Sequence, residues 1–403
     1  MTGWIRPLAL AAVLLLMSLS PTPVQAEGGL AIVKNSASVN YPGSIDFYLT
    51  AESDEDIIDV RLCYRVDRES FAQVTSEVFI KFDADTSVDV GWSWDLRTTG
   101  GLPPGTVISY WWLVTDAAGD RVETLPVRLE FNDTGHDWRS ITEVGITLYW
   151  YQGDESFARE LMAAAQAALE RLSEDTGAQL KKAVDLYIYA DAYDLQRSII
   201  FSQEWTGGMA FSRYGTVVIG VAPYNISWGK RAITHELTHL VTHQMTFNPY
   251  GDLPTWLNEG LSMYAEGEME PVYRVYLEQA IADDSLISVS SLSSPFSAFA
   301  AKSYLSYAQS HSLVGFLIEE YGQEKMFELL NTFVQGSSGD GALLKVYGFD
   351  MDTLNNLWRD YIMTPTPVEP VEELEVNPAL IGLLFLVAAA TVSAVFWFWR
   401  RQQ

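Results

Sequence analysis

The chain contains almost no cysteine, few histidines and few basic residues. Of its 403 residues, one is a cysteine, Cys63, and five are histidines. A single cysteine excludes an intramolecular disulfide, and its position in the alternating run 60–66 predicts a small buried thiol. Lysine and arginine together number 25 against 52 aspartates and glutamates, which gives a formal net charge of −27. This charge argues against nucleic acid as a partner, because proteins that bind it contact phosphates with lysine and arginine. Solubility explains the acidic excess more simply than recognition of another molecule does.

Long apolar runs are confined to the two ends of the chain. At the N-terminal end, residues 8–19 are apolar, follow Arg6 and precede the small residue Ala26. This order is typical of a signal peptide, which we place at residues 1–26.

The second apolar run, residues 379–399, contains no charged residue and is followed by Arg400 and Arg401. A run of this length can cross a hydrocarbon core of about 30 Å as one transmembrane helix. The two arginines predict a cytoplasmic C-terminus. A proline- and glutamate-rich stalk at 364–378 precedes the run. We therefore expect a single-pass protein of the cell membrane, with its main body outside the cytoplasm.

The part between these ends divides into two regions of different pattern. Residues 27–134 alternate apolar and polar positions in runs that glycine- and proline-rich turns separate. Short strands at this spacing predict an all-β sandwich of the immunoglobulin or fibronectin kind. From residue 140 an amphipathic helix at 156–172 is followed by short strands, and then by helices up to residue 362. This order predicts an α+β domain over residues 140–362.

The segment 235–239 reads His-Glu-Leu-Thr-His and predicts a metal site on a helix. Residues four apart lie on the same helix face, so His235 and His239 can bind one ion. Glu236 follows the first histidine and can reach a water at the metal without being a ligand. This arrangement is typical of a catalytic zinc site, which keeps one coordination position open.

The third ligand is expected on a separate element, and Glu259 is the candidate. It lies in the segment Trp-Leu-Asn-Glu-Gly at 256–260, and nineteen residues separate it from His239. That distance lets the first helix end, turn through residues 248–252, and start a second helix after Pro254. The predicted metal ligands are therefore two histidines and one glutamate.

These motifs resemble those of the gluzincin metallopeptidases, in particular the M1-related branch of the MA-like group. The resemblance covers about residues 140–362. It implies a zincin-type α+β peptidase domain and a peptide or protein substrate. Carried over position by position, it implies zinc bound by His235, His239 and Glu259, with Glu236 as the general base.

The chain also departs from the M1 aminopeptidases. Those enzymes carry a Gly-x-Met-Glu strand whose glutamate holds the free amino group of the substrate. The corresponding segment here, 207–211, reads Gly-Gly-Met-Ala-Phe, with Ala210 in place of that glutamate. We therefore expect an endopeptidase or a carboxyl-side trimmer that is a poor aminopeptidase. The side chains that orient the metal ligands do not follow the family pattern, and Ser262 and Glu266 are the candidates.

Other residues leave alternatives open. Tyr304, Tyr307 and His311 share one face of a predicted helix at 303–321, and such a donor can stabilise the oxyanion of the reaction. We favour Tyr307 as a catalytic residue, although a tyrosine-rich core face explains the pattern equally well. His243 extends the histidine spacing, and we interpret it as a polar neighbour rather than a fourth ligand. A further interpretation places Arg213 at a hairpin tip without a function.

The sequence thus predicts a membrane-anchored extracytoplasmic zinc metallopeptidase. In this reading a zinc-activated water attacks the peptide bond while Glu236 acts as general base. The alternative is a degenerate peptidase fold that serves as a binding or envelope scaffold protein. The presence of all three ligands and the base argues for the enzyme.

Overall fold

The computed structural model describes residues 29–201, 206–297 and 299–364. Two β-sheets come first along the chain, and a helix-rich region follows them. The chain divides into two units after Asn355. The first unit contains both sheets and nearly all of the helices. The described part of the second unit consists of the end of the last helix and the residue after it.

The first sheet has seven strands arranged around one very long strand. The strands are β1 (Ala31–Asn40), β2 (Ser44–Val66), β3 (Ser76–Phe79), β4 (Asp85–Asp95), β5 (Thr106–Asp116), β6 (Arg121–Glu123) and β7 (Val127–Phe131). Strand β2 pairs antiparallel with β1 and β4 along its first half. Along its second half it pairs with β3 and β5. Alternate side chains of these strands are buried and form one core, in which the rings of Phe47 and Tyr110 lie edge to face at 5.0 Å.

The fold class predicted from the sequence is wrong in two respects. The predicted sandwich is instead one hydrogen-bonded sheet, because the long strand β2 pairs with β1 and β4 along one half and with β3 and β5 along the other. The acidic stretch at 52–56 interrupts the alternation, yet the backbone stays extended through a register shift between Glu52 and Ile57. In addition, no helix within the described ranges is long and apolar enough to pass through a lipid bilayer. The predicted transmembrane helix (379–399), signal peptide (1–26) and stalk beyond Thr364 lie outside the described residues.

The second sheet has five strands in the order β11-β12-β10-β9-β8. These are β8 (Arg139–Glu143), β9 (Ile146–Trp150), β10 (Val184–Tyr189), β11 (Gly208–Phe211) and β12 (Thr216–Gly220). Strands β9, β10 and β12 run parallel; β10 and β12 are buried at nearly every position, which explains their apolar sequences, whereas β9 alternates buried and half-buried residues. Strand β11 is antiparallel to β12 and forms an edge of the sheet. Within the described residues, β11 pairs with a strand on one side only.

The described residues also form ten α-helices. They are α1 (Glu155–Thr176), α2 (Ala192–Ser198), α3 (Ile226–Thr246), α4 (Thr255–Ala265), α5 (Pro271–Ala282), α6 (Val289–Leu292), α7 (Ala300–Tyr321), α8 (Gln323–Val334), α9 (Gly339–Val346) and α10 (Met351–Met363). Helix α3 packs against α1, α4 and strands β11 and β12. Helix α4 packs closely on α7, because Gly260 leaves room for the backbone of Ser310. Helices α3 and α4 thus lie side by side, next to the edge strand.

Candidate metal centre

Helix α3 carries the two histidines of the sequence motif on one face. Its opposite face is anchored by buried apolar residues, among them Ile233, Leu237 and Leu240. The helical spacing brings the Nε2 atoms of His235 and His239 to 3.1 Å from each other. The two rings therefore point at the same volume.

Helix α4 brings Glu259 to that volume. The helix starts immediately after Pro254, and Trp256, Leu257 and Leu261 anchor it in the core. One carboxylate oxygen of Glu259, Oε2, lies 3.5 Å from Nε2 of His235 and 3.4 Å from Nε2 of His239. The three side chains form a group whose ligand atoms all lie within 4.8 Å of one another.

The chemistry of this group fits a metal cation. The Oε2 atom of Glu259 is buried and has no hydrogen-bond partner among the described residues. A buried carboxylate oxygen left without a partner is costly, and a bound cation would compensate it. Two imidazole nitrogens and one carboxylate oxygen are also ligands that zinc takes in proteins. The residues predicted as metal ligands therefore converge in an arrangement that suits a divalent ion.

Each histidine has a hydrogen-bond partner on its other ring nitrogen. Nδ1 of His235 lies 2.7 Å from Oε1 of Glu266, and Nδ1 of His239 lies 3.1 Å from Oγ of Ser262. When Nδ1–H donates to these oxygens, Nε2 keeps its lone pair for a metal. Ser262 and Glu266, the candidates from the sequence, are thus confirmed as the partners of the two histidines.

Arg231 was missed by the sequence reasoning. Its guanidinium forms ion pairs with Glu266 at 2.9 Å and with Glu270 at 3.1 Å. It lies four residues before His235, one turn earlier on the same helix. That spacing is the one feature of the sequence that could have indicated a role for Arg231, but a lone arginine on a helix face usually indicates only a solvated surface.

Glu236 lies between the metal ligands and the edge strand. The backbone N–H of Ala210 donates a hydrogen bond to its carboxylate, and burial raises the pKa of Glu236. Gly208 approaches so closely that a Cβ atom there would lie 2.9 Å from Oε1 of Glu236. Strand β11 therefore positions the candidate base, a contact that the sequence did not reveal.

Of the three residues predicted as oxyanion donors, Tyr307 lies near the candidate metal centre. Its ring lies 6.4 Å from that of His235 and packs edge-on against Phe296 at 5.2 Å. Burial, followed by the charges of Glu259 and Glu236, raises the pKa of Tyr307 strongly, so its hydroxyl stays a proton donor. Its catalytic role stays a prediction.

The other two candidates have neighbours elsewhere. The ring of Tyr304 stacks on Tyr276 at 5.4 Å, and His311 lies 3.1 Å from the carbonyl oxygen of Gly267. His243 is outside the metal group as well, with Nε2 3.8 Å from a carboxylate oxygen of Glu69. The interpretation of His243 as a polar neighbour rather than a ligand fits this position.

A cavity of about 640 Å³ opens beside the metal ligands. Its wall includes His239, Glu259, Ala210 and Tyr307. Arg213, for which the sequence suggested no function, also lines it. A cavity of this size, lined by two of the three proposed ligands and by Ala210 of strand β11, can hold several residues of an extended chain.

Comparisons with known proteins point to one superfamily. The family model of the peptidase MA superfamily matches residues 164–364. No curated protein matches the chain. Among solved structures, the chain is similar to wild-type OgpA from Akkermansia muciniphila, with 12% identity and a TM-score of 0.21 over 28% of this chain and 31% of that chain. The match thus spans less than a third of OgpA.

Two further solved structures match more of this chain. The M1 zinc metallopeptidase from Deinococcus radiodurans is 16% identical, with a TM-score of 0.35, over 85% of this chain and 96% of that chain. Aminopeptidase A from Legionella pneumophila, in complex with aspartic acid, is 10% identical, with a TM-score of 0.34, over 82% of this chain and 50% of that chain.

Proposed function

Residues 164–364 belong to the peptidase MA superfamily, and on this premise we propose that the protein is a zinc metallopeptidase that hydrolyses peptide bonds. The superfamily match confirms the resemblance that the sequence motifs indicated. The observation that carries the proposal is the convergence of His235, His239 and Glu259 beside Glu236. A structural metal site would need neither an open side nor an adjacent base.

His235, His239 and Glu259 would hold the metal, with Glu266 and Ser262 fixing the two imidazole rings. A zinc ion there would supply Lewis acidity, which acidifies water and polarises a carbonyl oxygen. Glu236 accepts the proton of the attacking water and then donates it to the leaving amine. Its raised pKa supports the second step, because a weaker acid holds the proton until the amine needs it.

Tyr307 is the proposed oxyanion donor. Its hydroxyl stays protonated, and its ring faces the metal ligands. A preorganised donor of this kind stabilises the charge that develops on the carbonyl oxygen in the transition state.

The substrate is proposed to bind as an extended strand along β11. The outer side of that strand offers backbone groups, apart from the Ala210 N–H that donates to Glu236, and such groups bind a peptide of any sequence. Ala210 supplies no carboxylate for a terminal ammonium group, and burying that group without a partner is costly. Internal peptide bonds are therefore the preferred targets.

The alternative, a degenerate scaffold protein, requires loss of some part of the site. Ligands, base and the partners of the histidines are all present, so no observation favours it. Action outside the cytoplasm stays a proposal that rests on the pattern of residues 1–26.

The test compares a quenched fluorescent peptide with its N-acetylated, C-amidated twin, using the full-length protein loaded with zinc. We expect cleavage of both peptides at an internal bond at similar rates, and none by Glu236→Gln. Release of single N-terminal residues from the free peptide only would contradict the endopeptidase assignment. Failure to cleave any member of a broad peptide library would contradict the enzyme.

A further inference from the structure

Arg213 occupies an unexpected position for an arginine at a strand end. It follows the edge strand β11 in a short 3₁₀-helix, Ser212–Tyr214. Its side chain lines the cavity that also contains His239 and Glu259. A group bound to this arginine would therefore share one cavity with the metal ligands.

The guanidinium of Arg213 has no carboxylate within ion-pair distance in the part of the chain that the structure describes. It lies beside the ring of Phe247, whose centroid is 6.0 Å from the guanidinium carbon. The chain as a whole carries a net charge of −27, with about two acidic residues for every basic one. Arg213 is exposed, and its place on the cavity wall offers the cavity a positive charge that no carboxylate of the described residues pairs with.

The N-terminal sheet region holds Arg213 in place through the loop 67–75. The backbone N–H of Glu69 donates to the carbonyl oxygen of Arg213 at 2.6 Å. The carboxylate of Glu69 pairs with Lys182 at 2.5 Å, so it does not neutralise Arg213. On the same loop, Phe71 stacks on Phe247 with the ring centroids 4.1 Å apart. The loop thereby fixes the backbone of Arg213 and the aromatic ring beside its side chain.

A cationic group is the competing occupant, because Asp252 also lines the cavity. Asp252 lies in the exposed turn before α4, and within the described ranges no hydrogen bond or ion pair orients its side chain. Arg213 is anchored through its backbone and Asp252 is not. The backbone hydrogen bond does not orient the guanidinium, so the choice of Arg213 over Asp252 rests on the ability of a guanidinium to bind a carboxylate through two hydrogen bonds.

We propose that Arg213 is a specificity-determining residue that binds a carboxylate of the peptide substrate, from either an acidic side chain or the C-terminus. This inference rests on the proposed peptidase function. A guanidinium and a carboxylate are both planar and can form two parallel hydrogen bonds with each other. The ammonium group of a lysine cannot form such a pair. The loop 67–75 then gives the N-terminal sheet a role in building the substrate site.

The experiment measures kcat/KM of the zinc-loaded full-length protein on matched peptides. The reference peptide contains only neutral residues and has an amidated C-terminus. One series places a single glutamate, glutamine or lysine at each position around the scissile bond, and another carries a free C-terminus. We expect one carboxylate position to raise kcat/KM about tenfold over its glutamine twin, mainly through KM.

Substitutions at Arg213 show whether this residue causes the preference for a carboxylate. Arg213→Gln should bring the glutamate-to-glutamine ratio close to one, and Arg213→Lys should retain part of the preference. Lys325→Gln is the matched control, because Lys325 pairs with Glu328 on α8 and does not line the cavity. It should leave the ratio unchanged.

A binding arm separates this proposal from the proposed function. The same peptides are titrated against zinc-loaded Glu236→Gln protein, with and without Arg213→Gln. Cleavage without any carboxylate preference would overturn the role of Arg213 and leave the peptidase standing. If the protein binds carboxylate peptides only when Arg213 is present, but the wild type cleaves none of them, the role of Arg213 stands and the peptidase function is overturned. A lysine preference that Asp252→Asn abolishes, or no binding at all, would also overturn the role of Arg213.

Discussion

Nδ1 of His235 lies 2.7 Å from Oε1 of Glu266, and the other oxygen of Glu266 lies 2.9 Å from Nη2 of Arg231. A proposed metal ligand is thus connected through a carboxylate to a guanidinium on the preceding turn of its own helix. The carboxylate fixes the ring orientation and increases the basicity of the imidazole, and the arginine in turn holds the carboxylate through an ion pair.

Glu266→Gln should weaken zinc binding while the ligands stay in place. Loss of such a hydrogen-bond partner typically lowers metal affinity by about ten- to a hundredfold. The dissociation constant can be measured by competition with a chromophoric chelator. Glu270→Gln is the control, because Glu270 contacts Arg231 and has no contact with His235. Equal affinity of wild type and Glu266→Gln would show that this contact does not support the metal.

Gly208→Ala should reduce turnover and leave zinc content unchanged. The added Cβ would lie 2.9 Å from Oε1 and 3.0 Å from Cγ of Glu236, so the base must move. A displacement of about 1 Å at a reacting group can lower the rate about a hundredfold. Gly251→Ala, where a Cβ meets nothing within 4 Å, is the control for kcat. Full activity of Gly208→Ala would contradict the assignment of Glu236 as base.

Gly260→Ala should destabilise the contact between α4 and α7. A Cβ at this position would lie 2.4 Å from the carbonyl oxygen of Ser310 and 2.6 Å from a methyl carbon of Val314. Forcing a methyl group into such a packed interface costs about 1–3 kcal/mol of unfolding free energy, measured by urea denaturation. At Gly315 the nearest atom is 4.0 Å away, so Gly315→Ala should be close to neutral. Equal losses at both glycines would contradict the packing argument.

The metal-free protein should lose stability between about pH 6.5 and pH 10. Burial lowers the pKa of His235, but hydrogen bonds to Glu259 and Glu266 outweigh it and raise the pKa from 6.5 to about 10. A folded-state pKa above the unfolded value adds stability that is complete below pH 6.5 and disappears as the pH rises through the folded value. Melting temperatures in EDTA should therefore fall over this window.

The variant His235→Asn isolates the contribution of His235 to that fall. The net charge of −27 opposes folding as well, but it does so equally in wild type and variant. The difference in melting temperature between them should therefore shrink as the pH rises. A constant difference from pH 6.5 to 10 would contradict the assigned pKa shift.

The sequence revealed most of the metal centre because its parts follow local rules. The spacing of His235 and His239 is one helical turn, and Glu259, Ser262 and Glu266 share a second helix or its end. Helical periodicity alone therefore places these groups correctly relative to their own helices.

Contacts between distant segments were not predictable in this way. Glu69 and Arg213 are far apart in the chain, and no periodic pattern in either segment reports that they touch. Likewise, the sequence did not show that β2 stays extended through its acidic stretch, because local composition does not show which neighbouring strands keep a backbone extended. What the sequence missed is tertiary pairing, which depends on the whole fold.

The most direct test of the proposed zinc centre is the metal content of purified full-length protein, measured by mass spectrometry together with peptide hydrolysis. We expect about one zinc per chain in the wild type and in Glu236→Gln, and almost none in His239→Ala, because Glu236 is the base and His239 a ligand. Only the wild type should hydrolyse peptides. Loss of zinc from Glu236→Gln as complete as that from His239→Ala, or wild-type protein that binds no zinc, would contradict the account.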